Sequence, residues 1–596
     1  MSGEALAVCA GHFTDGHLTM LTTTTAHFLR AFATVFALAS VASAAYAQAP
    51  SDADREAQRI QREQQELQRQ QIEQQRRKLP APQSGLAAPE REVTSDNGGP
   101  CRDISAVNIG SAPNLPSADR SRIIKAYAGR CLRVHDIEQL MAQITNAYIG
   151  RGYVTTRVYL PQQDLSKGQL SVMVVEGVVE KISMNGQGSN RVSLAGALPG
   201  VQGEPLNLRD LEQGLDQINR LQSNHATLDI EPGTAAGTSR VVIHNERDHA
   251  FHFGATLDDM GGDTTGKHQA GVTGAYDSPL GLNDFASLTY RQGLPLNVSE
   301  RYSRLGSFAY LIPYGYTTAS LAYSRSDYSS FVHTASGADL QTTGDSAIAS
   351  ARVEQVAYRS RSSRVTLAAS MTTKSSNNFL EDQLLSVSSR NLTIADLSLN
   401  YTTGLLGGVV SFEGGYSRGV KAMGSMHDAA GLAPDAPRAQ FRRYNYSASY
   451  ALPFRAGNLD ASFSSSIVGQ HALTALYGSE QMLVGGIYSV RGYDKSSLAG
   501  DNGIVVRNEL AVRFPINAGG NFRSSIRPYL GLDWGRTRMR EDDTGTPEGA
   551  LSGATLGVAL SSNAMAFEIF TSHPLHLPSY MTREGSQTYF RFSMSL

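Results

Sequence analysis

From about His249 to Leu596 the chain is written in a period of two. Phe251, Phe253, Ala255 and Leu257 alternate with His252, Gly254, Thr256 and Asp258. Ala286, Leu288 and Tyr290 alternate with Ser287, Thr289 and Arg291, and Ala319, Leu321 and Tyr323 with Ser320, Ala322 and Ser324. Successive side chains of a β-strand point to opposite faces, so each segment carries one apolar and one polar face. Short strands of this kind, split by Gly, Asn, Asp and Ser turns, suit an all-β transmembrane barrel, apolar towards lipid and polar towards a lumen. At roughly twenty residues per strand and turn, residues 248–596 hold about sixteen antiparallel strands. A mean hydropathy of -0.25 does not oppose this, because alternation never produces the continuous apolar run of a spanning helix.

Late in this region stands Val490-Arg491-Gly492-Tyr493, followed by Tyr529-Leu530-Gly531-Leu532-Asp533-Trp534-Gly535. Leu530, Leu532 and Trp534 share one strand face; Tyr529, Gly531, Asp533 and Gly535 share the other. A carboxylate facing a lumen wants a cation, and Arg491 on a Gly-flanked loop is the candidate. The chain ends Phe590-Arg591-Phe592-Ser593-Met594-Ser595-Leu596, with Phe590, Phe592, Met594 and Leu596 on one face. Outer-membrane barrels present a terminal strand of that kind to the insertion machinery.

Ahead of the barrel region the chain changes character several times. Arg30 precedes an apolar run from Ala31 to Ala47 that ends in Ala45-Tyr46-Ala47, the small-x-small pattern of a cleavage site. Residues 1–47 therefore read as a secretory signal peptide, and the residues before Met20 as an over-extended start. Asp52 to Leu79 is rich in Gln, Arg and Glu, without Gly or Pro, and predicts a helix whose apolar face is too sparse for a hydrophobic core. Residues 80–100 read as an extended linker.

Two compact α+β modules follow. In residues 101–178 the expected order is β-α-α-β-β: a strand Ile104–Ile109, a helix capped by Ser117, and a helix striped by Ile137, Leu140, Met141, Ile144 and Tyr148. Thr155–Leu160 and Leu170–Val175 are its last two strands. In residues 179–247 a strand Val179–Met184 precedes a helix striped by Leu208, Leu211, Leu215 and Ile218, with Asn207 as cap and Asp210 as the acidic half of a capping box. Ala226–Ile230 and Val241–His244 complete the second module. Of three cysteines, Cys9 falls in the leader, which leaves Cys101 and Cys131, an even pair in an exported protein. An oxidising compartment favours their disulfide. A metal site would need more than the nearby His135.

The Val490–Tyr493 and Tyr529–Gly535 segments together resemble two motifs of TpsB-type transporters, the outer-membrane pores of two-partner secretion. Gly152-Tyr153-Val154-Thr155-Thr156-Arg157, Tyr159-Leu160-Pro161-Gln162-Gln163-Asp164-Leu165 and Val175-Glu176-Gly177 resemble the family's first POTRA domain. Glu231-Pro232-Gly233 with Gly237-Thr238-Ser239 resembles the hairpin of the second. Asp277–Asp284 is similar to the first tight periplasmic turn, and Gly500–Gly503 with Arg507–Leu510 to the strand after the loop. The resemblance implies that the loop enters the pore so that Arg491 meets Asp533, and that residues 52–79 occupy the lumen as a plug. It implies a barrel in the outer membrane of a Gram-negative bacterium with its POTRA domains in the periplasm. The partners it implies are an unfolded exoprotein of adhesin or haemolysin type bound through the POTRA domains, outer-membrane lipid, and the barrel assembly machinery during biogenesis. An outer-membrane barrel assembly factor is the alternative, since it shares POTRA domains and the Arg-Gly loop motif; it usually carries more POTRA copies and lacks the plug helix.

Signals for other chemistry are weak. Charged residues are 18% and the net charge is -2, which gives no bulk electrostatic case for nucleic acid. Gly415-Tyr416-Ser417-Arg418-Gly419 matches a nucleophile elbow, yet it continues an alternating stretch and no helical pattern follows. His249 and His252 face opposite ways on a strand, and Asp258, Asp259 and Asp263 read as a solvated loop rather than a calcium site. No catalytic residue, metal or cofactor is expected.

Overall fold

The computed structural model describes residues 59–60, 62–64, 99–186, 191–296, 300–333, 337–517, 523–540 and 549–596. The expected signal peptide, most of the helix expected at 52–79 and the expected linker as far as residue 98 lie outside the described residues.

The first module contains β1 (Arg102–Ile104), β2 (Ala106–Ile109), α1 (Ser117–Tyr127), β3 (Arg130–Leu132), α2 (Val134–Ile149), β4 (Arg157–Tyr159) and β5 (Gln169–Val175). Strand β5 is central, parallel to β2 and antiparallel to β4. Ile137, Leu140, Ile144 and Tyr148 of α2 are buried in one cluster with Val107, Ile109, Leu170 and Val172. Two local expectations change. The expected first strand breaks at Ser105, whose amide and hydroxyl both turn to the Gly168 carbonyl, so β1 leaves to pair with β3. Ser117 is the first helical residue instead of the cap; Pro116 holds the cap position in extended conformation and no side chain caps α1. Cys101 and Cys131 are bonded, with Cα atoms 5.3 Å apart, and Cys131 lies in β3, past the end of α1. A closed loop of that length stabilises by about 3–4 kcal/mol. The Tyr148 hydroxyl donates to Glu176 at 2.6 Å; burial, then that carboxylate, push it above the usual phenol range.

The second module contains β6 (Val178–Asn185), α3 (Leu194–Ala197), α4 (Leu208–Asn219), β7 (Asn224–Pro232) and β8 (Thr238–Arg247). Strand β8 is central, parallel to β6 and antiparallel to β7. Asn207 caps α4, its side chain accepting from Arg209 N at 2.9 Å. Asp210 completes no capping box with it and instead accepts the Tyr316 hydroxyl at 2.6 Å, which joins the module to the barrel.

Among the described residues, 16 antiparallel strands form the closed barrel, from β9 (Phe251–Asp258) round to the strand Gln587–Ser595. The next five are β10 (Gln269–Asp277), β11 (Phe285–Gly293), β12 (Tyr302–Tyr314), β13 (Thr317–His333) and β14 (Asp339–Arg359). Closure is made where Leu596 and Phe253 exchange backbone hydrogen bonds of 2.8 and 3.0 Å. Leu288, Leu321 and Leu532 stay more than half exposed, which suits contact with lipid and not with water. Phe590, Phe592 and Met594 pair with Ile569, Phe567 and Met565 on that same outward face, and Leu596 is exposed at the end.

The second module is docked on three barrel turns. Gly315 N donates to Gly196 O at 2.8 Å, and Gln213 and Gln217 of α4 donate to Gly315 O at 3.2 and 2.8 Å. Asn283 accepts from Ser193 N and donates to Ser193 O. Arg359 donates to Asp216 at 2.5 Å and Gln213 at 3.0 Å, and lies 3.4 Å from Glu212, all of them buried on α4. Burial holds the Asp216 carboxyl above the usual range, while Arg359 pulls it down. Arg359→Ala leaves Asp216 buried without that cation, at a cost of about 3 kcal/mol to docking. Hydrogen exchange of the full-length protein should then speed up across α4. Because the raised carboxyl holds its proton more tightly when docked, the variant's docking should strengthen as pH falls from about 7 towards about 4. Exchange across α4 equal to wild type would show that Arg359 contributes nothing to docking.

Candidate functional site

Between the strands Leu459–Ala472 and Asn502–Asn517 the chain does not turn at the rim; residues 473–501 fold inward against the inner wall. Two short strands, Met482–Val484 and Leu498–Gly500, pair to make the inserted segment a hairpin. Its neck is tied by Asp501, which accepts from Leu476 N at 3.0 Å and Arg540 N at 3.1 Å. Val484, Val490, Tyr493 and Leu498 bury themselves against Val505 and Leu551 of the wall.

At its tip Arg491 meets Asp533. The guanidinium donates through Nε at 2.6 Å and Nη2 at 2.9 Å to the two carboxylate oxygens, and the Arg491 amide adds a third bond at 3.1 Å. Arg491 is 5% and Asp533 2% exposed, so the pair is desolvated and depends on this bidentate geometry. Cross-strand partner Arg507 lies 3.8 Å from Asp533, and Glu509, itself held by Arg527 at 2.6 Å, lies 3.8 Å from Arg491. The period-two face decides the rest. A Cβ at Gly531 would collide with the Arg491 guanidinium, and one at Gly535 would come within 2.7 Å of Val484. Gly492 has φ +103°, with its backbone pressed against His573 and Pro574, a conformation closed to other residues. Tyr493 donates to the carbonyls of Ser552 at 2.9 Å and His576 at 2.5 Å.

Three further contacts, two on the loop and one on the barrel, have no motif in the sequence. Glu480, fully enclosed, pairs with Lys374 at 2.7 Å and Arg443 at 3.0 Å. An inward Lys in a Ser- and Thr-rich strand was the one signal for it. Glu584, from the loop before the last strand, accepts from the amides of Asp494, Lys495 and Ser496 at 2.7 to 3.1 Å. The helical residues at 59–60 and 62–64 make the third contact. Ile60 packs on Tyr328, Gln64 accepts from Ser346 at 3.3 Å, and Arg59 donates to Thr265 at 3.0 Å. Glu63 lies 3.1 Å from Arg291, whose guanidinium also holds Asp258 at 2.6 and 2.7 Å.

Asp258 and Asp259 thus correct the reading of a solvated loop. Even positions of β9 face inward, so Asp258 is 1% exposed, and Asp259 is buried with its carboxylate on the Phe590 amide at 2.7 Å. Asp263 is exposed, 3.7 Å from Lys495. Ser417 of the elbow-like segment lies within the strand Gly408–Gly419, hydrogen-bonded to Asp396 and Asn445. His252 pairs with Asp277 at 2.9 Å, and among the described residues no group of three or more His, Cys, Asp or Glu is placed to hold a metal ion.

Residues 237–560, which contain both Arg491 and Asp533, match the family model of the haemolysin secretion/activation protein ShlB/FhaC/HecB. The chain belongs to the haemolysin secretion/activation family. Residues 103–177 match its ShlB-type POTRA domain, and 178–232 a further POTRA domain. Curated relatives include the outer membrane transporter CdiB of Dickeya dadantii, 32% identical over 83% of this chain and 87% of that protein. The hemolysin transporter protein ShlB of Serratia marcescens is 32% identical over 76% of this chain and 80% of its own length. The structure of CdiB from Escherichia coli superposes with a TM-score of 0.81 at 30% identity, covering 92% of this chain and all of that one. As a member of the haemolysin secretion/activation family the chain is an outer-membrane protein, its POTRA domains on the periplasmic side.

Removing the cation tests how firmly the tip is held. Arg491→Ala leaves Asp533 buried with Arg507 at 3.8 Å as its remaining cation. The docked tip should lose roughly 3 kcal/mol, read as about a hundredfold faster amide exchange over residues 489–495 of the folded barrel. Unchanged protection there would mean that the hydrophobic contacts of Val490 and Tyr493 hold the loop by themselves.

Proposed function

We propose that this chain is the outer-membrane pore through which an unfolded, large exoprotein of adhesin or haemolysin type leaves the cell by two-partner secretion. The observation that carries this reading is the 473–501 hairpin inside the barrel, held by Arg491 and Asp533, in a barrel with POTRA domains docked at its periplasmic mouth. Family membership favours secretion over barrel assembly.

The client docks on the POTRA pair, where sheet edges accept an added strand. The helix around residues 59–64 then leaves the lumen and the client passes in extended form. Folding outside makes transport directional without a nucleotide. Arg491 and Asp533 keep the loop in a competent position; they are structural and gating residues, and the chain is not an enzyme. Phe590, Phe592, Met594 and Leu596 form the end that the assembly machinery reads during insertion. Helix departure is eased by the pairing of Arg291: it keeps Asp258 when Glu63 goes, so no buried charge is orphaned in the wall.

Three experiments check this. Arg491→Ala should abolish export while barrel levels stay near wild type; export at full rate would end the role given to the pair. In planar bilayers Glu63→Ala should raise the frequency of large openings. Asp258→Asn should lower it, because Arg291 would then depend on Glu63. Openings that respond identically to both substitutions would remove the helix from the gate. Deletion of the gene should clear one very large protein from the culture medium, restored by complementation, and an unchanged medium would favour the assembly alternative.

A further inference from the structure

The outer surface of the barrel carries a pattern that export does not use. On four strands an outward aromatic has an arginine at the next outward position away from the POTRA end: Tyr323 and Arg325, Tyr416 and Arg418, Tyr444 and Arg442, Trp534 and Arg536. Tyr416 and Tyr444 are cross-strand partners with ring centroids 5.4 Å apart. From Tyr444 to Phe454, another outward aromatic, the strand Arg442–Ala456 runs about ten residues. That is roughly 33 Å along the strand, or roughly 25 Å across the membrane at a tilt of about 40°, the height of a barrel's apolar band. The paired tyrosines therefore mark the outer boundary of the hydrocarbon. Arg418 and Arg442 lie about 5 Å beyond it, at the level of the outer leaflet's headgroups.

These two arginines are also cross-strand partners, exposed side by side. Like charges directly opposite destabilise a ladder unless something neutralises them. Arg304, on the same outer surface, has Asp327 at 3.9 Å, whereas among the described residues Arg418 and Arg442 have neither an ion pair nor a side-chain hydrogen bond. We infer that Arg418 and Arg442 together bind a phosphate group of the outer-leaflet glycolipid. Two guanidinium forks converging on one phosphate offer bidentate, charge-assisted bonds that lysines would not reproduce. The glycolipid's phosphate is the anion that the outer leaflet supplies at this depth.

The test uses the full-length protein, delipidated in neutral detergent and titrated by native mass spectrometry with diphosphoryl lipid A, its dephosphorylated counterpart, and inorganic phosphate. Wild type should prefer the diphosphoryl lipid, and Arg418→Gln with Arg442→Gln should weaken that binding roughly tenfold. Arg455→Gln, at the opposite rim, should bind as wild type does. Equal binding of the diphosphoryl lipid by wild type and double variant would overturn the site. So would equal binding of the two lipids by wild type, a comparison that stands even where the variant fails to fold. Saturation by inorganic phosphate as tightly as by lipid would reassign the pair to a free anion and overturn the lipid assignment.

Discussion

Hydrocarbon offers no partner to a backbone amide, so a sheet that spans a membrane has to close on itself. Here closure rests on a short seam between the first and last strands, finished by the two bonds between Phe253 and Leu596. Once closed, the ladder forces every second side chain inward, and the interior becomes a narrow polar space. Charges that face it are partly desolvated. Asp533, Glu480 and Asp258 are each nearly inaccessible, and each lies against an arginine or lysine brought by another part of the chain. The inserted loop and helix residues thus belong to the electrostatics of the wall.

How far this was legible depended on whether the signal was local. Alternation placed Phe251 outward and Asp533 inward, and small residues around Asp533 left room for a guanidinium that a Cβ at Gly531 would exclude. Asn207 could be read as a cap because its partner, the Arg209 amide, is two residues away. Asp210 was misassigned for the opposite reason: the Tyr316 hydroxyl is 106 positions off in sequence and displaces the local capping box. Glu480, Lys374 and Arg443 form one cluster from three distant segments, so no spacing announced it. Asp258 was visible in part, since the parity that sends Leu257 outward sends Asp258 inward. Its pairing with Arg291 needed the register of β9, β10 and β11 as well.

The docked second POTRA domain extends the same logic into the periplasm. Helix α4 offers Glu212, Gln213, Asp216 and Gln217 to the barrel, a polar face that a free domain would leave in water. Gly315 and Arg359 of two neighbouring turns satisfy it. An interface rich in hydrogen bonds and ions, with a small apolar contact of Leu221 on Phe285 and Leu311, is specific in orientation. The turns that it grips join strands among β10 to β14 and the strand Ser363–Leu380, and Arg291, Tyr328 and Ser346 on these strands touch the helical residues at 59–60 and 62–64.

Two arginines inside the barrel are held in opposite ways. Arg491 commits both donor edges and its own amide to Asp533, while Glu509, at 3.8 Å, is already held by Arg527. Withdrawing the loop would leave Asp533 buried with Arg507, at 3.8 Å, as its remaining cation, so the loop is expensive to move. Arg291 is divided between a wall carboxylate, Asp258, and a helix carboxylate, Glu63. Withdrawing the helix leaves an intact pair in the wall and returns Glu63 to water, where its charge is solvated. Within one lumen, then, the loop is fixed by a bidentate pair and the helix is held by a shared one.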